Sequence, residues 1–184
     1  AKPNAKQAIS ELNRRGILTC MFSGDRKEHA EQMASSLGLK VVKGGLTPEQ
    51  KTEALKELIA KKKGTVAFVG DGINDAPSIA WSDLVIAMGG LGSDAAVANA
   101  DCVILNDDPK KIITLLRVAK KTKNRASFNI LASLGVKGIV MALSIAASAT
   151  GAFSMPIVVS VFADSGLALL MILSSLLLGF EKVK

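Results

Sequence analysis

The sequence predicts an α/β domain built on a mostly parallel, doubly wound sheet, followed by a transmembrane hairpin of two helices. Three observations carry that expectation. Short apolar runs alternate with segments of helical periodicity up to the point where the charges thin out. One of those runs, Thr65-Val66-Ala67-Phe68-Val69, stops abruptly at Gly70-Asp71-Gly72-Ile73-Asn74-Asp75-Ala76-Pro77, an acidic loop of the kind that follows a buried strand where open α/β sheets keep their chemistry. Charges crowd residues 1–126, whereas beyond Ser127 only Lys137 and Asp164 interrupt the apolar sequence before Glu181. At 184 residues there is room for one core and a membrane segment.

The first element is an amphipathic helix over Ala5–Arg15, with Ala5, Ala8, Ile9 and Leu12 on one face and Gly16 as its stop. Ile17–Phe22 reads as a short buried strand ending in Ser23-Gly24-Asp25. Asp25 and Glu28 are placed to cap a helix over Arg26–Leu37, leaving the Ser23 hydroxyl and nearby amides available to an anion, although helix capping alone explains the same residues. His29 falls on the polar side of that helix. Val41-Val42 makes a brief strand, and Thr47-Pro48-Glu49-Gln50 then supplies an N-cap, a proline at the first helical position and a glutamine at the third. The helix so begun puts Leu55, Leu58 and Ile59 on one side and Lys51 in its first turn, leaning toward any anion ahead of that end; alone, it reads as a surface lysine.

After the acidic loop come a short helix over Ala76–Ala80, a strand over Leu84–Met88, a turn over Gly89–Gly92, a short helix capped by Ser93 and a last strand over Cys102–Leu105. Trp81 is assigned to packing. Cys20 and Cys102 lie in apolar runs and read as buried strand residues of a reducing cytosol.

From Pro109 a helix carries Ile112, Ile113, Leu115, Leu116 and Val118 on one side, with Lys110, Lys111, Arg117, Lys120 and Lys121 elsewhere. It continues through Lys123 and Arg125 into Ser127–Ala149, an apolar stretch of roughly 35 Å that suffices to cross a bilayer. The turn Thr150–Pro156 leads into a second apolar run, Ile157–Phe180. Lysine and arginine stand at both outer ends of this hairpin and are missing from its turn, so the positive-inside rule puts residues 1–126 and the C-terminus in the cytoplasm, with 127–184 as the membrane hairpin and tail of an inner-membrane protein. The net charge of +7 lacks the aromatic interleaving of a nucleic-acid surface and excludes that partner. The chain opens Ala-Lys-Pro-Asn and reads as a piece of something longer.

Two constellations carry chemistry. Asp71 and Asp75 stand one helical turn apart if the chain coils after Gly72, so both carboxylates can face one hard cation such as Mg²⁺. A dinucleotide fingerprint competes for the glycines but would set Asp71 against a pyrophosphate with no metal between them. Lys137 lies about 15 Å from the inner end of the first span and Asp164 about 12 Å from the outer end of the second, so both fall near mid-bilayer. Each alone costs roughly 2.5–3.5 kcal/mol to insert, which favours an inward-facing pair over snorkelling. Gly135, Gly138 and Gly166 flank the pair and permit close helix approach or local unwinding.

The string Gly70-Asp71-Gly72-Ile73-Asn74-Asp75-Ala76-Pro77, with Ser23-Gly24-Asp25 and Lys51 in order before it and two spans after it, resembles the C-terminal part of a heavy-metal-transporting P-type ATPase, a branch of the haloacid dehalogenase superfamily. The Val136-Lys137-Gly138 and Ala163-Asp164-Ser165-Gly166 segments are similar to the last two membrane helices of the subclass exporting zinc, cadmium and lead. That resemblance implies a haloacid-dehalogenase-like sheet and an aspartyl-phosphate intermediate. Ser23 and Gly24-Asp25 would bind phosphoryl oxygens, Lys51 would neutralise the phosphoaspartate, Asp71 would hold Mg²⁺ with Asn74 and Asp75 in support, and Asp164 would take the transported divalent cation with Lys137 as counter-ion. It also implies ATP as substrate, bound mainly by a domain absent from this chain, and the rest of the same polypeptide as partner.

Two departures stand out. Met171-Ile172-Leu173-Ser174-Ser175 spells a motif of copper pumps but lies about two turns beyond Asp164 and reads as coincidence. The Asp-Lys-Thr-Gly phosphorylation motif does not occur in the chain, so this stretch is expected to be inactive alone. The rival readings are a membrane-tethered phosphatase of the same superfamily, indifferent to Lys137 and Asp164, and a non-enzymatic membrane assembly partner, indifferent to Asp71.

Overall fold

The computed structural model describes residues 2–61, 64–70, 80–89, 100–151 and 161–180, with backbone alone at Ala163, Asp164, Leu178 and Phe180. The acidic loop after Gly70, the short helices expected over Ala76–Ala80 and after Ser93, and most of the hairpin turn lie outside them. Two compact units emerge, Ala1–Ile113 and Thr114–Lys184.

In the first unit, α1 (Ala5–Arg14) buries Ala5 and Ala8 and ends where Gly16 takes a left-handed φ of 74°. The strand expected from Ile17 begins only at Cys20: β1 is Cys20–Phe22, and Ile17 and Leu18 are exposed. Ile17 is held by its amide on the Leu12 carbonyl, and the Thr19 carbonyl accepts from both Lys40 and Val41, so the parallel ladder opens one residue later. Helix α2 (Lys27–Leu37) is not capped by Asp25 and Glu28 as expected; Arg26 occupies the N-cap without a side-chain bond, because the Asp25 carboxylate turns back to Ser23. β2 (Val41–Lys43) pairs in parallel with β1. At the following turn the chain passes so near α2 that a Cβ on Gly44 would stand 2.6 Å from the Ala30 Cβ and 2.9 Å from the Lys27 Cα.

Helix α3 (Pro48–Lys61) starts with the reciprocal box read from the sequence, the Thr47 amide donating to Gln50 Oε1 at 2.9 Å and the Gln50 amide to Thr47 Oγ1 at 3.3 Å. It buries Thr52, Ala54 and Leu55. β3 (Ala67–Gly70), β4 (Leu84–Met88) and β5 (Cys102–Ile104) form a second parallel sheet in that order. Only β4, flanked on both sides, is buried through Val85, Ile86, Ala87 and Met88. Two aspartates extend its ladder, Asp83 Oδ2 accepting from the Val66 amide at 2.7 Å and Asp101 Oδ2 from the Val85 amide at 2.8 Å.

The single sheet expected from the sequence is therefore two parallel sheets among the described residues, β1-β2 and β3-β4-β5. The strand expected to be buried before the acidic loop is half open, with Val69 41% exposed, because β3 has a strand on one edge only. Trp81 is likewise exposed, its ring covered on one side by the Lys56 ammonium 4.4 Å from the centroid. Cys20 and Cys102 are half-buried thiols.

In the second unit, α4 (Lys111–Thr150) runs unbroken for 40 residues and is long and apolar enough to cross a membrane. A π-helical turn over Phe162–Gly166 leads into α5 (Leu167–Phe180), also strongly apolar. Their exposed leucines, isoleucines and phenylalanines are what a lipid-facing surface requires.

Candidate functional site

Ser23 follows directly on β1, because the apolar run exhausts itself at Phe22 and Gly24 opens a turn. Its hydroxyl donates to Asp25 Oδ2 at 3.0 Å and accepts from the Asp25 amide at 3.1 Å. The hydroxyl expected to stand free is thus already engaged, in a small turn that holds its oxygen beside the strand end. The Ser23 amide donates to the Lys43 carbonyl and its carbonyl accepts from Leu46, which pins the turn to the end of β2.

Lys51 is placed by the capping box one turn into α3, half-buried. Together with Leu55 and Leu58 it lines a cavity of about 250 Å³ whose other walls are Cys20, Met21 and Phe22 of β1 and Val66–Val69 of and beside β3. The cavity lies between the two strand edges that carry no neighbouring strand among the described residues. Glu49, in the same first turn, has its carboxyl held below the usual range by its own backbone N–H and then by the Thr47 hydroxyl.

The structure thus brings Lys51 to the slot between β1 and β3 and sets Ser23 at the end of β1. Asp71, which follows the last residue of β3, and Asn74 and Asp75 lie outside the described residues, so no distance joins them to Ser23 or Lys51. Among the described residues no group of three His, Cys, Asp or Glu could hold a metal. Asp71 and Asp75, both carboxylates, nevertheless have the hard-oxygen chemistry that Mg²⁺ takes.

In the membrane unit, Asp164 falls in the π-helical turn, whose i→i+5 bonding widens the helix locally next to Gly166. The Phe162 ring lies against Gly166, where a Cβ would meet it at 3.1 Å. At Gly135 and Gly138 nothing among the described residues stands within 4 Å of an added Cβ. Four polar residues that sequence reasoning gave no role join the helices. Arg125 Nη1 donates to Ser174 Oγ at 3.1 Å, and Asn129 Nδ2 donates to Ser175 Oγ at 2.9 Å and the Met171 carbonyl at 3.3 Å. The available signal was Asn129 itself, an amide two residues into an apolar span and one turn beyond Arg125.

Parallel strands, with α2 crossing between β1 and β2, form an α/β fold of the haloacid dehalogenase-like class, and residues 1–83 match the model of haloacid dehalogenase-like hydrolases. The zinc-transporting ATPase of Synechocystis is 43% identical over 95% of this chain, and the cadmium, zinc and cobalt-transporting ATPase of Bacillus subtilis is 40% identical over 95%. The crystal structure of a zinc-transporting PIB-type ATPase in the E2.Pi state superposes with a TM-score of 0.81 at 33% identity, over 96% of this chain and 28% of that one. Over nearly its whole length the chain is thus similar to part of heavy-metal-transporting P-type ATPases. It spans 24% of the length of either curated relative.

Proposed function

We propose that this chain supplies the distal part of the phosphorylation domain and the final membrane hairpin of an ATP-driven exporter of a divalent heavy metal, Zn²⁺ or Cd²⁺ first and Pb²⁺ or Co²⁺ in the same class. The observation that carries the reading is the slot between β1 and β3, with Lys51 on its wall and Ser23 and Asp71 next in sequence to the strands that frame it. A strand from the remaining polypeptide, carrying the acceptor aspartate, fits between those edges; without it the chain has no nucleophile of its own and is inactive.

In this reading the Ser23 hydroxyl and the Gly24-Asp25 backbone bind the phosphoryl oxygens, the hydroxyl turning from Asp25 to do so. Lys51 sets a positive charge where the acyl phosphate gathers negative charge. Asp71 and Asp75 hold Mg²⁺, with Asn74 orienting them, and the ion supplies charge neutralisation at the phosphoryl group when bound. ATP is held by a separate domain. In the membrane, Asp164 binds the transported cation and Lys137 occupies its charge after release, with residues 1–126 and the C-terminus cytoplasmic.

The decisive experiment is phosphorylation of the full polypeptide by radiolabelled ATP. A metal-dependent, hydroxylamine-sensitive phosphoenzyme that Asp71→Asn abolishes is the expected result. Phosphoenzyme formation that needs Mg²⁺ but ignores Zn²⁺ and Cd²⁺, with hydrolysis of small phosphomonoesters intact in Asp164→Ala, would instead identify a tethered phosphatase.

A further inference from the structure

We infer that Asn129, assisted by Arg125, is a positioning residue that fixes the register of the two membrane helices and so holds Lys137 and Asp164 at one depth; the inference rests on the metal role proposed for that pair. Bonds cross from α4 to α5 among the described residues, and they run antiparallel, Arg125 to Ser174 and Asn129 to Met171 and Ser175. The amide orientation is forced, because the Met171 carbonyl can only accept, and so Nδ2 must face it. Asn129 Oδ1 is left buried with no partner among the described residues. A position that served only to pack would be better filled by leucine. A single buried amide that lowers stability yet selects one alignment of helices is the device by which coiled coils fix register.

The alignment has a consequence for the charges. Lys137 lies about 12 Å along α4 beyond Asn129, and Asp164 lies about 10 Å before Met171 and about 16 Å before Ser175 along the second helix. The two ionisable positions therefore come level to within about one turn. Sliding α5 by a turn would separate them by about 5 Å along the bilayer normal. Met171, Ser174 and Ser175 gain a role of this kind through the latch, in place of the metal ligation their spelling suggests.

The test places spin labels at Leu134→Cys and Leu169→Cys, both exposed and close to the latch, in this chain reconstituted in nanodiscs with Cys20 and Cys102 replaced by serine. Asn129→Leu is expected to displace or broaden the interlabel distance by about 5 Å, and Ser175→Ala, which cannot unfold the hairpin by overpacking, to do so in the same direction. In the full polypeptide Asn129→Leu should raise the metal concentration for half-maximal ATPase stimulation by about tenfold while leaving phosphorylation by inorganic phosphate intact. Unchanged label distances in both variants would overturn the inference. Displaced labels with unchanged metal half-stimulation would leave the register latch standing and remove Lys137 and Asp164 from the metal path.

Discussion

The Ser23 hydroxyl and the Asp25 carboxylate stand 3.0 Å apart, with the Asp25 amide returning a bond to the same hydroxyl. In the proposed reading a phosphoryl oxygen competes with Asp25 for that proton, so the turn holds Ser23 in place while partly occupying its hydroxyl. Ser23→Ala is expected to lower phosphoenzyme formation by about tenfold, the worth of one hydrogen bond to a charged group, while Ser23→Thr keeps the hydroxyl and the activity. Acid-quench measurement of phosphoenzyme distinguishes them, and equal levels in Ala and wild type would remove the hydroxyl from the site.

Gly44 is the most closely approached of the described glycines in the first unit. Its missing Cβ leaves room for Ala30 and for the backbone at Lys27, neither of which is the end of a flexible chain. Gly44→Ala is expected to destabilise the domain by about 1–3 kcal/mol through overpacking. A urea midpoint within error of wild type would contradict the close approach of α2.

Glu57 ties α3 to β2. Its carboxyl is held below the usual range by the hydrogen bond from Lys43 at 3.2 Å, then by the charges of Lys43 and Lys61. A carboxyl with a lower pKa in the folded than in the unfolded chain contributes stability that is present above the unfolded value and is lost as pH falls through the folded one. Amide exchange in α3 should therefore quicken as pH drops below about 4.5, after correction for intrinsic exchange. Glu57→Gln flattens that dependence, and added salt shrinks it.

Trp81, the one tryptophan of the chain, stands six residues after Asp75. Lys56→Gln removes the ammonium above its ring, shifting the emission and costing no more than about 1 kcal/mol at this exposed site. Millimolar Mg²⁺ should change the Trp81 emission of the chain, and Asp71→Asn should abolish the response. A titration identical in the two proteins would place Mg²⁺ elsewhere.

Asp164→Asn is expected to abolish metal-stimulated turnover of the full polypeptide while leaving phosphorylation by inorganic phosphate. Transport at the wild-type rate would exclude Asp164 from the ion pathway.

The sequence alone determined the elements whose causes are local. The helix stop at Gly16, the box linking Thr47 and Gln50, the strand Leu84–Met88 and the long apolar helix that follows Pro109 depend on neighbours a few residues away, and each stands where composition and spacing put it. The class of the protein was legible for the same reason, since the eight-residue string Gly70–Pro77 is a contiguous signal. Tertiary structure decided what depends on distant partners. The division into two sheets, the exposure of Val69 and the slot that receives Lys51 follow from which strand edges meet, and no local pattern encodes that. Asp25 could cap a helix or hold Ser23, and only the folded turn chose. Asn129 and Ser175 lie 46 residues apart, each within an apolar run, and only the packing of α4 on α5 made them a pair.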